Sequence, residues 1–147
     1  MNRLDINKST YQQRQSVRNV AEDRFEAYCT KKGIEFHRFG FDEKGGNVGN
    51  FFLIDPVLRN LPDYVVSAKN KIFFVQVKGT NKIKIKEIEY YKSFWELFGN
   101  DDCEFVFYFM FSDSIRVLTL DQLTSLSVTL PIKKFETDKK EYIELSI

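Results

Sequence analysis

Apolar residues recur at three- and four-residue intervals over Tyr11–Lys32. Val17, Val20, Ala21, Phe25 and Tyr28 fall on one stripe, and Gly33 stands where a C-terminal cap belongs, so the spacing predicts a helix. Ile34–Phe39 reads as a strand. Gly40–Asn50 (GFDEKGGNVGN) reads as a loop and Phe51–Ile54 as a further short strand, after which Pro56 and Pro62 punctuate the chain. Asp63–Ser67 (DYVVS) and Lys71–Lys78 (KIFFVQVK) are β-rich runs separated by a tight turn at Lys69-Asn70. Glu87–Phe98 returns to helical spacing, with Ile88, Tyr91, Trp95 and Phe98 on one face and Gly99-Asn100 as its stop. Glu104–Phe111 is almost wholly apolar, the pattern of a strand covered on both faces, and Ile115–Leu120 is its expected neighbour across a turn at Asp113-Ser114. A short helical turn at Asp121–Leu126 and an edge strand complete the pattern. Helix, strands, helix, strands predicts an α/β architecture with a central mixed β-sheet flanked by helices. No repeat or composition shift divides residues 1–147, so a single domain is expected.

Composition narrows the function classes. With 147 residues, 43% of them hydrophobic, the chain can build a core without metal or disulfide staples. Its 22 Lys+Arg against 21 Asp+Glu exclude a uniformly basic nucleic-acid coat. Cys29 and Cys103 make no CxxC pair and no zinc spacing, and a disulfide between them stays open. The one histidine, His37, excludes His-rich metal sites and HExxH chemistry, and on a strand it reads as a packed or surface residue. Met1–Gln15 is polar, with no secretory core, and the longest largely apolar run, Cys103–Phe111, is too short to cross a bilayer. A soluble cytoplasmic protein with no membrane partner is expected.

The strand Lys71–Lys78 carries the candidate chemistry. Side chains alternate faces, so Phe73, Val75 and Val77 point one way while Phe74, Gln76 and Lys78 point the other. An amide and an ammonium thus leave an apolar strand side by side, and burial without partners is unfavourable. A two-residue turn at Lys69-Asn70 sets Asp63 opposite Gln76. Glu22 borders the apolar stripe of the first helix and is placed to face the sheet, whereas Asp23 and Glu26 are expected in water.

The pieces AEDRFEAYCTKKG (Ala21–Gly33), PDYVV (Pro62–Val66) and VQVKG (Val75–Gly79) resemble the PD-(D/E)XK nuclease superfamily, over about Asn19–Phe111. The helix text looks like that of Holliday-junction resolvases. The resemblance implies a restriction-endonuclease-like fold with an αβββαβ core. Carried over by position, Glu22 matches the helix acid, Asp63 the motif aspartate and Lys78 the motif lysine. Gln76 departs from the usual Asp or Glu, as it does in QxK variants such as an intron homing endonuclease and a Tn7-type transposase end-cleaving subunit. The implied activity is a Mg²⁺-dependent endodeoxyribonuclease, with Mn²⁺ expected to substitute. Asp63, the side-chain carbonyl of Gln76 and the backbone carbonyl of Val77 are the expected ligands of this hard, oxygen-seeking ion. Glu22 would serve a second ion or a coordinated water. Lys78 would orient or deprotonate the attacking water and stabilise phosphoryl charge.

Charge adds a substrate signal. Tyr64–Lys86 holds six lysines and no acid, leaving −5 for the rest of a chain whose total is +1. In Asn81–Lys86 (NKIKIK) an extended chain would set Lys82, Lys84 and Lys86 on one face, a spacing suited to a phosphate backbone and equally to a guarded edge strand. Gly45, Gly46 and Gly49 lack a following GK[ST], so a mobile loop near the cleft is the better reading than a nucleotide site. Asp42, Glu43 and Asp55 are alternative metal acids. The expected function is DNA cleavage, junction-resolvase-like or site-specific, by a homodimer or higher symmetric oligomer with paired centres. The alternative is a catalytically inactive nuclease-fold subunit that binds DNA or protein, which Gln76 favours.

Overall fold

The computed structural model describes residues 11–39 and 61–146, with side chains from Val20 onward. Helix α1 (Tyr11–Lys32) buries Ala21, Phe25 and Cys29 at four-residue spacing. It ends on Gly33, whose φ of 68° lies in the left-handed region that glycine enters without Cβ strain. Gly33 N–H donates to Thr30 O (3.2 Å) and Ile34 N–H to Cys29 O (2.8 Å), the two bonds of a Schellman stop.

Among the described residues, four strands follow: β1 (Glu35–Arg38), β2 (Tyr64–Ala68), β3 (Lys71–Lys78) and β4 (Lys82–Lys84). The β2–β3 turn is Lys69-Asn70 as expected, with φ of 53° and 61°, the doubly left-handed geometry that matches strand twist. Helix α2 (Ile85–Phe98) then leads to β5 (Cys103–Met110), β6 (Ile115–Thr119) and helix α3 (Leu120–Thr129). Strands β7 (Lys133–Lys134) and β8 (Glu141–Glu144) end the described chain. The main sheet has the order β1-β2-β3-β5-β6, with β3 and β5 parallel and the other pairs antiparallel. It is therefore the mixed sheet expected, with helices on both faces.

Strand parity divides the core into two. Val66, Val75, Val77, Val106 and Met110 meet Ala21, Phe25 and Cys29 of α1 on one face. Phe105, Phe107 and Phe109 meet Ile88, Tyr91 and Phe94 of α2 and Leu123 of α3 on the other. β5 is covered on both sides, as its composition implies. Each fully buried Phe there contributes about 1.5–3 kcal/mol.

Four expectations change. The lysine run Asn81–Lys86 is not extended throughout, because α2 begins at Ile85. Ile85, Ile88, Tyr91 and Phe94 form one three-residue apolar rhythm, so the helix starts two residues earlier and carries Lys86 into water. The buried stripe of α2 is Ile88, Tyr91 and Phe94; Phe98 is 52% exposed and only leans on the Phe94 ring at 4.9 Å. α3 is longer than one turn, since Thr119 and Gln122 make a reciprocal capping box. The C-terminal segment forms a second sheet, order β4-β8-β7, whose Ile83 and Ile143 are wholly buried in the α2-side core. Cys29 and Cys103 are both free thiols. The loop at Gly40–Asn50, the strand at Phe51–Ile54, Asp42, Glu43, Asp55 and the three loop glycines lie outside the described residues.

Candidate active site

The end of the sheet where β2 begins and β1, β3 and β5 finish gathers the polar residues singled out in the sequence. The hairpin register sets Tyr64 opposite Val75, and one further step places Asp63 opposite Gln76. Pro62 and Asp63 are buried just before β2. Phe39 N–H donates to the Asp63 carbonyl (2.8 Å), so β1 clamps its backbone, and Val77 N–H donates to Asp63 Oδ2 (3.0 Å), so β3 fixes its side chain. In an extended strand the C=O of a residue lies on the same edge as its N–H, so the Val77 carbonyl also faces this edge. Gln76 is 6% exposed, and its buried Oε1 accepts no hydrogen bond from the described residues.

Lys78 shares the Gln76 face and makes a 2.7 Å ion pair with Glu87 Oε1 in the first turn of α2. Tyr91 OH, one helical turn on, donates to the same oxygen at 3.3 Å. Burial alone would raise the Glu87 carboxyl. The Lys78 ammonium beside it, the hydrogen bond from it and the nearby Lys84 outweigh burial and hold Glu87 below the usual carboxylate range.

Glu22 approaches from the α1 side. It is 1% exposed, and its Oε2 accepts from Arg38 Nη2 at 3.1 Å. The same Arg38 nitrogen reaches Glu26 Oε2 (3.0 Å), and Tyr64 OH donates to that Glu26 oxygen. Burial, then the hydrogen bond to Glu26, push the Tyr64 hydroxyl far above its ordinary value. Arg38 pairs with Tyr64 across β1–β2, one residue from Asp63, and Arg24 Nη1 donates to Met110 O (3.4 Å) at the end of β5. These contacts fix the Glu22 part of α1 at the same sheet end as Asp63. Thus Asp63 meets Val77 directly and lies opposite Gln76 by register, whereas Glu22 is engaged by Arg38 and Lys78 by Glu87. Glu26, expected in water, is a partner in the Arg38 network; Asp23 is exposed as expected. His37 lies on the surface beside Glu35.

The donor set suits a hard divalent cation in kind: a carboxylate, an amide oxygen, a strand carbonyl and a second carboxylate. The buried Gln76 Oε1 is the decisive observation. An unsatisfied buried acceptor costs about 1–3 kcal/mol, which a cation or its water would relieve. No cluster of three His, Cys, Asp or Glu is present among the described residues, so any such ion relies on the amide and the backbone as well as on carboxylates.

Of the lysine run, Lys82 and Lys84 share a face while Ile83 between them enters the core. Lys82 Nζ is 3.9 Å from Glu144 with its side chain 11% exposed. Lys84 Nζ lies 5.8 Å from the centre of the Phe135 ring, and Lys86 stands apart on α2.

This arrangement is a restriction-endonuclease-like fold: α1, three strands ordered in sequence along one side of the sheet, and a helix leading to a parallel β5. Among solved structures it is similar to that of Archaeoglobus fulgidus Hjc, a Holliday junction resolvase from an archaeal hyperthermophile. The likeness has a TM-score of 0.50 and 16% identity, over 86% of this chain and 87% of that one. D212, a nuclease from a fusselovirus, aligns at a TM-score of 0.41 and 13% identity, over 92% of this chain and 84% of that one. No family model and no curated protein matches the sequence.

Sequence reasoning missed Glu87, Arg38 and the inward role of Glu26. Glu87 and Tyr91 are four apart on one helix, a readable pair. The Lys78–Glu87 contact depends on how β4 returns the chain, which no local pattern reports.

Proposed function

We propose that this chain is a metal-dependent DNA endonuclease that hydrolyses phosphodiester bonds at the Asp63 end of its sheet. The observation that carries the reading is an Asp63 carboxylate held by Val77 N–H, one register step past Tyr64–Val75 and so opposite Gln76, whose buried Oε1 accepts no hydrogen bond from the described residues, two residues before Lys78. Asp63, Gln76 Oε1, the Val77 carbonyl and Glu22 would hold Mg²⁺, and Mn²⁺ equally. When bound, the ion supplies positive charge to the scissile phosphate and lowers the pKa of water. Asp63 is aimed by its hydrogen bond from Val77 and so needs little reordering to receive the ion. Lys78 donates hydrogen bonds to the attacking water and to phosphoryl oxygens, where negative charge grows in the transition state. Glu87, 2.7 Å from that ammonium, holds it in place at the strand end. The water oxygen forms the new bond to phosphorus and gives up a proton to solvent, the bond to the leaving deoxyribose oxygen breaks, and that oxygen takes up a proton from solvent.

The fold shared with a Holliday junction resolvase favours branched DNA as the substrate. Site-specific cutting of the homing or restriction type uses the same centre. One centre per chain makes a homodimer the minimal assembly for cutting two strands. The test incubates the protein with branched, linear and supercoiled DNA, with Mg²⁺ or Mn²⁺ and with chelator. Expected is cutting that requires the metal and is abolished by Asp63→Asn and by Lys78→Ala, while DNA binding persists. Cutting that survives both substitutions removes the site. The neutral Gln76 favours a second reading, a DNA-binding subunit without catalysis; binding without cutting in either metal would establish it.

A further inference from the structure

The second sheet brings together lysines that are about fifty positions apart in the chain. Its register pairs Lys82 with Glu144, Lys84 with Tyr142 and Lys133 with Tyr142. Directly opposed residues share a face. Continuing β7–β8 by one step pairs Phe135 with Lys140, and Phe135 N–H indeed donates to Lys140 O at 3.0 Å. One face therefore carries Lys82, Lys84, Lys133 and Lys140 against Glu144. Beneath them lie the stacked rings of Phe135 and Tyr142, 4.2 Å between centroids and both buried.

The lysines on this face are not equivalent. Glu144 is shared by Lys133 (3.2 Å) and Lys82 (3.9 Å). Lys84 and Lys140 make no ion pair with any described residue. Lys84 is half-buried, and its pKa is lowered by that burial and by the charge of Lys140. Glu87 and Asp138 oppose this shift and Lys78 adds to it, and Lys84 is the last residue of β4, directly before the helix that carries Glu87. Two cations held close together on a half-buried face favour an anion more strongly than dispersed surface lysines do.

We propose that Lys84 and Lys140 grip the phosphate backbone of duplex DNA as it approaches the sheet end at Asp63 and Lys78. The proposal rests on the nuclease reading and adds to it the C-terminal hairpin. Lys140 comes from a segment in which acids and lysines alternate, so its sequence shows no basic bias. The remaining lysines of the face are secured by Glu144 and fix the geometry of the grip.

The experiment titrates a fluorescent DNA duplex by anisotropy over a salt series, with chelator present so that nothing is cut. Each phosphate neutralised contributes about 0.9 to the slope of log K against log salt. Lys84→Gln/Lys140→Gln is expected to flatten the slope by about 1.8, and Lys140→Gln alone by about 0.9. The control Lys31→Gln/Lys32→Gln, at the far end of α1, leaves the slope unchanged. Lys140 is exposed, so its single substitution carries the test if the double variant fails to fold. An unchanged slope in Lys140→Gln overturns the proposal and marks these lysines as a solvated face of the small sheet, while metal-dependent cutting still upholds the nuclease reading. A wild-type chain with no affinity for DNA overturns both.

Discussion

The Lys78–Glu87 pair offers the sharpest test of the site's electrostatics. Glu87→Gln removes the carboxylate charge and keeps the side-chain shape. The pair is 2.7 Å long with side chains 18% and 17% exposed, so it is neither a surface bridge nor fully desolvated. Exposed bridges contribute about 0–1 kcal/mol, whereas removing one partner of a buried pair costs about 3–5 kcal/mol. Glu87→Gln should lie between, at about 2 kcal/mol, because Lys78 is left largely buried without its carboxylate. With a urea m-value of about 2 kcal/mol/M, the midpoint should fall by about 1 M. The pH dependence fixes the cause. The Glu87 pKa is depressed in the folded state, so the unfolded chain binds more protons and this stabilisation is complete above the unfolded value of 4.5. It is lost as pH falls through the folded value, and the gap between wild type and Glu87→Gln should close over that interval. A cycle with Lys78→Met should show coupling of at least about 1 kcal/mol near neutrality and little in acid. Equal stability of wild type and Glu87→Gln at neutral pH, or a gap independent of pH, refutes the account.

Gln76→Glu places a second carboxylate opposite Asp63. Without divalent ions its melting temperature should fall by at least about 3 °C per kcal/mol of repulsion, and Mg²⁺ should raise it more than it raises the wild type, as read by differential scanning fluorimetry. Equal responses to Mg²⁺ would contradict the ligand set. The Cys29 thiol is pushed up to about 11, by burial and then by Glu26, so alkylation of the folded protein near neutral pH should modify Cys103 alone, as read by mass spectrometry.

The main sheet was legible because its signals are local. Strand β3 shows its two faces by simple alternation, and Lys69-Asn70 fixes the hairpin register, so the Asp63–Gln76 opposition follows without tertiary information. Helix α1 reads from its stripe and its glycine stop. The small sheet was not legible: β7 has only two residues, and β4 and β8 are joined across about sixty positions. Its strands are too short for alternation to be distinctive, and their pairing is decided by the burial of Ile83 and Ile143 in the α2-side core. The expected lysine face failed at Lys86 for a related reason. Ile85 satisfies both a two-residue and a three-residue rhythm, and the helix wins because Ile88, Tyr91 and Phe94 continue it.

The same distinction explains the candidate site. Residue type and parity predict which groups emerge at the sheet end, but which ions they meet is decided by helices arriving from elsewhere. Glu22 meets Arg38 because α1 lies over the end of β1, and Lys78 meets Glu87 because Glu87 falls in the first turn of α2. Both pairs reduce the charge that a cation and a phosphate would otherwise encounter. A neutral Gln76 acts in the same direction, lowering repulsion around Asp63 before any ion arrives. The strand end is thereby stable enough to fold with an aspartate 8% exposed, and it still presents an amide oxygen that gains by meeting a cation.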